Sequence, residues 1–115
     1  MDRRVQGLIA FMGEHLQDDL SLKEMAQSVN LSPWRLCHIF TEETGMPPER
    51  YLKMLRMQRA KELLETTFLT VKEVMTRVGM SDESHFVRDF KRLYSLPPAR
   101  YRKRRNNAGL VEGEG

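Results

Sequence analysis

The feature that most constrains this chain is an internal repeat, because residues 21–51 are similar to residues 70–101. The two segments align at an offset of 49 residues as far as Ser32 and, after one extra residue, at an offset of 50. Identical pairs include Lys23/Lys72, Glu24/Glu73, Val29/Val78, Ser32/Ser81, Phe40/Phe90, Pro47/Pro97, Pro48/Pro98, Arg50/Arg100 and Tyr51/Tyr101. A period near 50 residues indicates that one supersecondary unit is used twice.

Each copy contains the signals of two helices joined by a tight turn. Residues 21–24 (Ser-Leu-Lys-Glu) and 70–73 (Thr-Val-Lys-Glu) are capping boxes, which start helices. Asn30 and Gly79 then break the pattern, and both tolerate the left-handed conformation that ends a helix. A second helix and a Pro-Pro pair follow, which is the order of a helix-turn-helix unit. The alternative is a duplicated hairpin that only packs, but the polar residues on the second helices differ between copies.

Hydrophobic periodicity extends the two units into an all-α fold of seven helices, with no strand pattern. The predicted domain covers residues 3–105, with a first helix over 3–17, a first helix-turn-helix unit over 21–45, a linker helix over 48–65, a second unit over 70–95 and a short turn through Tyr101. The third and sixth helices are expected to bury two apolar sets, Leu36, Ile39 and Phe40, then Phe86, Phe90 and Leu93. Residues 106–115 are predicted to form a disordered tail.

Charge is distributed unevenly along the chain, whose net charge is +3. Residues 1–31 carry a net −2, whereas residues 66–115 carry +4 and include Arg100 and the basic run 102–105. A basic end favours a polyanionic partner, although a solvated terminal tail has the same composition.

Composition argues against several other classes of protein. The single cysteine, Cys37, excludes an internal disulfide and is typical of a reducing cytoplasm. No apolar run approaches the roughly 20 residues of a membrane span, and the first residues do not read as a signal peptide, so a cytoplasmic location is expected. His15, His38 and His85 lie on different predicted helices without ligand spacing, and no glycine-rich phosphate loop is present. No metal, no cofactor and no enzymatic activity are therefore expected.

Both units carry side chains at a characteristic spacing. In the first, the pattern is Leu22, Ala26, Ser32, Trp34, Leu36, His38, Phe40 and Thr44-Gly45. In the second, it is Val78-Gly79-Met80, Asp82, Ser84, Phe86, Arg88, Phe90-Lys91, Pro98 and Tyr101-Arg102. Over residues 5–102 these motifs resemble the C-terminal DNA-binding domain of the AraC/XylS family of bacterial transcription regulators. Met80 stands where an aromatic residue is usual in that family, and Ser95 where glycine is usual.

The resemblance implies sequence-specific binding of double-stranded promoter DNA. Two recognition helices, over about residues 33–44 and 82–94, would enter successive major grooves, which lie about 34 Å apart on one face of DNA. A rigid linker helix of about 25 Å with its flanking turns suits that spacing. The resemblance also implies a bacterial, nucleoid-associated location, contact with RNA polymerase, and an N-terminal effector or dimerisation domain in the full-length protein.

The same resemblance and the helix positions assign the DNA contacts. Base-contacting residues are expected to be Trp34, Cys37 and His38 in the first unit, and Glu83, Ser84, Val87 and Arg88 in the second. Phosphate-contacting residues are expected to be Ser32, Arg35, His85 and Arg100. Arg88 is the strongest of these assignments, because an arginine binds guanine O6 and N7 with two hydrogen bonds.

Alternatives remain for both the residues and the function. Trp34 is otherwise a half-buried core aromatic, and Arg88 is otherwise held in an ion pair with Glu83, Asp89 or Glu49. A helical protein-interaction module without DNA binding predicts an exposed apolar patch on the recognition helices. RNA binding is less favoured, because no aromatic sheet platform or single-strand clamp is predicted.

Overall fold

A computed structural model gives the fold of the chain, with the side chains of residues 1–106 and the backbone as far as residue 114 described. This part of the chain contains seven helices and no strand, which confirms the all-α class. The helices are α1 (Arg3–Glu14), α2 (Leu22–Ser28), α3 (Pro33–Thr44), α4 (Pro48–Thr66), α5 (Val71–Arg77), α6 (Glu83–Tyr94) and α7 (Pro98–Glu114).

The first and last helices differ in length from the prediction. Helix α1 ends at Glu14, because the backbone N–H of His15 bonds back to the carbonyls of Phe11 and Met12 and closes the helix. Helix α7 continues past Tyr101 to Glu114, and the Lys and Arg residues at 102–105 are good helix formers that favour this continuation. Helix α7 therefore covers most of the segment 106–115 for which a disordered tail was predicted, and the side chains of this segment lie outside the described residues except for Asn106.

The chain divides into two compact units, each with its own hydrophobic core. Unit 1 is Met1–Arg56 and unit 2 is Met57–Gly115, so the first half of α4 belongs to unit 1 and the second half to unit 2. The buried residues of the unit 1 core are Val5, Leu8, Met12, Met25, Ala26, Leu36, Phe40 and Leu52. Those of the unit 2 core are Met57, Ala60, Leu63, Leu64, Val74, Met75, Val78, Phe86 and Phe90.

Four left-handed residues set the turns on either side of the second helix of each unit. In unit 1 they are Asn30 (φ 58°) and Gly45 (φ 82°), and in unit 2 they are Gly79 (φ 81°) and Ser95 (φ 75°). The predicted breaks at Asn30 and Gly79 are therefore confirmed. Ser95 adopts a conformation that costs a residue with a Cβ about 1 kcal/mol or more, which accounts for the usual preference for glycine there.

Side-chain caps start the helices of both units, but the two predicted capping boxes differ. In the box at α5, the Thr70 hydroxyl accepts from the Glu73 N–H and the Glu73 carboxylate accepts from the Thr70 N–H, both at 3.0 Å. At α2, the Ser21 hydroxyl accepts from the Glu24 N–H but also donates to Glu24 Oε1, at 3.1 Å in each case. Only the second box has the reciprocal form.

One arginine in each unit binds backbone carbonyls of the loop that precedes the helix-turn-helix. Arg56 on α4 donates to the carbonyls of Leu16 (3.1 Å) and Asp18 (2.8 Å) in the loop after α1. Arg102 on α7 donates to the carbonyls of Leu64, Thr67 and Leu69 around the end of α4. The Arg102 guanidinium therefore contributes to the structure of unit 2, because several of its donors are engaged by these carbonyls.

Aromatic packing around Phe90 anchors α7 and corrects one predicted core residue. The Phe90 ring lies 4.7 Å from Tyr94 and 5.5 Å from Tyr101. The Tyr101 hydroxyl donates to Glu65 Oε2 at 2.7 Å, and its burial together with this bond raises the pKa of Tyr101 to about 12. Leu93, predicted to be buried, is 55% exposed, because Tyr94 packs at this end of the helix in its place.

Candidate nucleic-acid interface

Helix α3 separates its buried and exposed side chains cleanly. The Ser32 hydroxyl caps the helix by accepting from the Arg35 N–H at 3.1 Å, and Pro33 occupies the first helical position. Leu36 and Phe40 are almost fully buried in the unit 1 core, and Ile39 packs partly against it. The remaining side chains of the first turns are therefore directed away from the core.

Those outward side chains include the three residues that the sequence assigns to bases in unit 1. Trp34 and His38 are exposed, and Cys37 is half-buried between them and the core. Trp34 is 68% exposed, which excludes the alternative of a half-buried core aromatic. One turn apart, Trp34 and His38 bring their ring centroids to 4.1 Å with the planes inclined at 47°, so they form one joint aromatic surface.

Helix α6 repeats this arrangement with different side chains. Phe86 and Phe90 are fully buried, while Glu83, Ser84 and Arg88 are exposed and Val87 is half-buried. At the repeat offset of 50, Trp34 corresponds to Ser84, Cys37 to Val87 and His38 to Arg88. Each pair has the same degree of exposure, so the two units present the same three positions on their second helices.

Arg88 lies beside a buried carboxylate. Its Nε is 3.6 Å from Asp89 Oδ1, and the Asp89 side chain is only 7% exposed whereas that of Arg88 is 58% exposed. The predicted ion pair with Asp89 therefore exists, at a distance longer than a hydrogen bond. Because more than half of the arginine side chain is exposed, the guanidinium remains accessible to a ligand.

The caps of the two helices differ in charge. At α3 the cap is the neutral hydroxyl of Ser32, and both Ser32 and Arg35 are exposed. At α6 the cap is a carboxylate, because Asp82 Oδ1 accepts from the His85 N–H at 3.0 Å. Asp82 Oδ2 also lies 3.3 Å from His85 Nδ1, so His85, an assigned phosphate contact, already has a local carboxylate partner.

Arg100, the remaining assigned phosphate contact, is exposed in the first turn of α7. Two further cations of the basic run, Lys103 and Arg104, line the same concavity as Arg100. The repeat contains a signal for one of them, because Lys53 corresponds to Lys103 at the offset of 50.

Among residues 1–106, no group of three or more His, Cys, Asp and Glu side chains is placed to hold a metal ion. The described helices include none with the length and apolar character needed to cross a membrane.

A family model described as a helix-turn-helix domain matches residues 25–104. The arabinose operon regulatory protein of Escherichia coli (strain K12) is 34% identical over 103 residues, which cover 89% of this chain and 35% of that protein. The HTH-type transcriptional regulator MtrA of Neisseria gonorrhoeae is 32% identical over 102 residues, covering 89% of this chain and 34% of that protein. The chain therefore spans about a third of the length of these relatives.

Solved structures with the same fold are also similar in sequence. The C-terminal domain of AraT, a response regulator from Geobacillus stearothermophilus, has 30% identity and a TM-score of 0.84, covering 90% of this chain and 87% of that one. The DNA-binding domain of AdpA, a global transcriptional factor, was solved in complex with a target DNA. It has 27% identity and a TM-score of 0.84, covering 89% of this chain and 92% of that one.

Proposed function

The chain belongs to the AraC/XylS family of helix-turn-helix transcription regulators, and from that premise we propose that it binds double-stranded DNA sequence-specifically through α3 and α6. Each of these helices enters a major groove, and the two grooves are successive on one face of the DNA. The linker helix α4, 19 residues long, joins the two units. One chain then reads an asymmetric site of about two helical turns.

The observation that carries this proposal is the matched exposure of three positions on α3 and α6. One face of each helix packs into the hydrophobic core of its unit. The side chains that follow the cap lie on another face and are accessible. A recognition helix contacts base edges with residues near its N-terminus, where these positions lie. The AdpA domain, similar over 89% of this chain, was solved with DNA bound, which supports the same ligand here.

The two units read different chemical features of the base pairs. In unit 1, Trp34 and His38 offer an aromatic surface for a thymine methyl or a sugar, with Cys37 beside them and a ring nitrogen of His38 available for a hydrogen bond. In unit 2, Arg88 donates to guanine O6 and N7. Ser84 hydrogen-bonds a base edge, Val87 contacts a thymine methyl, and Glu83 accepts from cytosine N4.

The phosphate contacts position these helices without carrying sequence information. They are assigned to Ser32 and Arg35 in unit 1, and to His85 and Arg100 in unit 2. His85 is the weakest of the four, because Asp82 holds its ring nitrogen and adds a negative charge near the phosphate.

The proposal extends to the partners of a longer protein. Because this chain spans about a third of the length of the relatives, we infer that the chain is one part of such a protein. The wider partners are promoter DNA, RNA polymerase, and an N-terminal effector-binding or dimerisation domain, as the length of the relatives suggests. The place of action is the bacterial cytoplasm at the nucleoid. The chain acts by binding and not by catalysis, since the exposed groups of α3 and α6 form a recognition surface.

A protein-interaction module is the second candidate. One observation favours it, namely that Phe68 in the loop before α5 is fully exposed and Leu93 on α6 is 55% exposed. The other outward side chains of α6 are mainly polar or charged, which suits DNA better than an apolar groove.

The decisive experiment is selection from random-sequence DNA followed by footprinting and titration. The expected product is an asymmetric site with two half-sites one helical turn apart, whose binding weakens steeply with salt. Arg88→Glu should reduce affinity for this site about 100-fold or more while the circular dichroism spectrum keeps its helical shape. The unfolding temperature should fall somewhat, because the substitution removes the cation beside the buried Asp89 carboxylate. Arg59→Glu is the matched control, because Arg59 is an exposed cation on α4 outside both recognition helices.

Three results would contradict parts of the proposal. Normal DNA binding by Arg88→Glu would contradict the assignment of Arg88 as a base contact in unit 2. A short palindromic site would mean that a single unit of each chain binds DNA in a dimer. Absence of any selected sequence, with capture of an apolar peptide through Phe68, would favour the interaction module.

A further inference from the structure

The turn between α6 and α7 and the first turns of α7 form an open concavity of about 410 Å³. Its lining residues are Leu96, Arg100, Lys103 and Arg104. Three cations and one apolar side chain therefore face the same space, all of them within unit 2.

The cations of this segment lie on two different faces of α7. Arg100, Lys103 and Arg104 follow i, i+3, i+4 spacing, which puts them on one face of the helix. Arg102 lies on another face, where three backbone carbonyls accept its hydrogen bonds. The basic run is therefore not a uniform solvated tail, because one of its arginines holds the fold and three cations converge on the concavity.

No carboxylate of residues 1–106 forms an ion pair with Arg100, Lys103 or Arg104 within the described structure. By contrast, Arg4, Arg59 and Lys61 each have a carboxylate partner within 4 Å. Three like charges on one helix face repel one another when no carboxylate of the described residues pairs with them. An anionic ligand relieves this repulsion, and arginine and lysine are the side chains that bind phosphate.

The repeat keeps this surface in the other unit. At the offset of 50, Leu96 corresponds to Met46, Arg100 to Arg50 and Lys103 to Lys53, whereas Arg104 corresponds to Met54. An apolar residue and two cations thus recur after both recognition helices. Two copies of a unit that bind the same kind of ligand are expected to keep the residues that contact it. The ligand proposed for both units is DNA.

We propose that the concavity binds the sugar-phosphate backbone of the DNA beside the groove that α6 enters. The inference rests on the proposed function and deepens it by adding Lys103 and Arg104 as phosphate contacts next to Arg100. The concavity has room for more than one phosphate group, and Leu96 packs against the sugar between them. Unit 1 has the weaker counterpart, because Met54 stands in place of the third cation.

The test is the salt dependence of DNA binding by the full chain carrying Lys103→Gln and Arg104→Gln. The probes are the duplex recovered by selection and a scrambled duplex of the same length. The slope of log K against log salt concentration should fall in magnitude by about 2, and affinity should fall roughly 10- to 100-fold for both duplexes at low salt. The ratio of the two affinities should stay constant, because phosphate contacts carry no sequence information.

The matched control is the double variant Arg4→Gln and Arg59→Gln. It lowers the net charge by the same amount, but it removes exposed arginines that already have carboxylate partners. Its slope should stay within about 0.5 of the parent value. The single variant Lys103→Gln, with an expected slope change of about 0.9, repeats the measurement with a smaller perturbation.

An unchanged slope in the double variant, or an equal change in the control, overturns the inference. Binding of an acidic peptide that the double variant abolishes, with DNA binding intact, also overturns it and assigns the concavity to a protein partner. The proposed function fails separately, if the parent chain does not distinguish the selected duplex from the scrambled one.

Discussion

Unit 1 and unit 2 have the same order of caps, helices and left-handed turns, yet they carry different charges at matching positions. Unit 1, residues 1–56, contains seven basic and eight acidic residues, a net charge of −1. Unit 2, residues 57–115, contains twelve basic and eight acidic residues, a net charge of +4. Duplication has therefore kept the geometry of the recognition helix while the chemistry that it presents has changed.

This difference predicts that the two units contribute different kinds of interaction to DNA binding. In the proposed complex, the Trp34–His38 surface of unit 1 would rely on apolar contact, which depends little on salt. Arg88 and the α7 cations of unit 2 would rely on charge, which depends strongly on salt. Unit 2 should therefore supply most of the electrostatic affinity, and unit 1 a contact that persists at high salt.

The largest expected effect on stability tests the two loop-binding arginines. Arg102→Gln removes a guanidinium from three carbonyls, and Arg56→Gln removes one from two. Because partly buried carbonyls lose their donors, we expect losses of about 2–3 kcal/mol for Arg102 and about 1–2 kcal/mol for Arg56. Urea unfolding gives these values.

Arg102→Lys is the control for the arginine comparison, because lysine keeps the charge but lacks the planar fork of donors. It should recover less than half of the lost stability. Full recovery by lysine would mean that charge, and not the set of hydrogen bonds to the loop, stabilises unit 2.

The next effect tests the difference between the caps of α3 and α6. Asp82→Ser keeps a capping side chain but removes a negative charge from the start of the recognition helix. We expect DNA affinity to rise about fivefold, because one carboxylate near the phosphates costs about 1 kcal/mol. Ser32→Asp should lower affinity by a similar factor, measured by fluorescence anisotropy at low salt.

High salt supplies the check on the cap prediction. The ratio of variant to parent DNA affinity should approach one for both substitutions as salt screens the charges. A change that persists at 1 M salt would mean that the substitution altered the structure of the helix start instead of its charge.

The smallest effect tests the left-handed turns that follow the recognition helices. Gly45 and Ser95 correspond at the offset of 50 and have φ values of 82° and 75°. Ser95→Gly should stabilise the chain by roughly 0.5–1 kcal/mol, because relief of strain exceeds the added entropy of the unfolded chain. Gly45→Ser should cost a similar amount by thermal unfolding.

A Cβ added at Gly45 meets nothing within 4 Å, so that substitution isolates the backbone term from any steric clash. If Ser95→Gly instead destabilised unit 2, the serine would be contributing an interaction that outweighs its strained conformation.

The sequence predicted the elements that depend on neighbouring residues. The cap at Thr70 and the turns at Asn30 and Gly79 form within three or four residues, so local patterns reveal them. The repeat and the resemblance supplied the exposed positions on α3 and α6. The identity of the bases and phosphates that these residues contact stays a prediction.

Contacts between residues far apart in sequence could not be predicted from local patterns. Arg102 reads as one more cation in a basic run, yet its partners lie 33–38 positions away. Leu93 fits the apolar spacing of α6, yet the packing of Tyr94 on Phe90 leaves it exposed. Local spacing specifies which face of a helix a residue occupies, but which neighbour covers that face is set by the packing of the whole unit. For that reason local patterns were enough to predict the two helix-turn-helix units, whereas the packing of each unit set which cations hold the fold and which stay exposed.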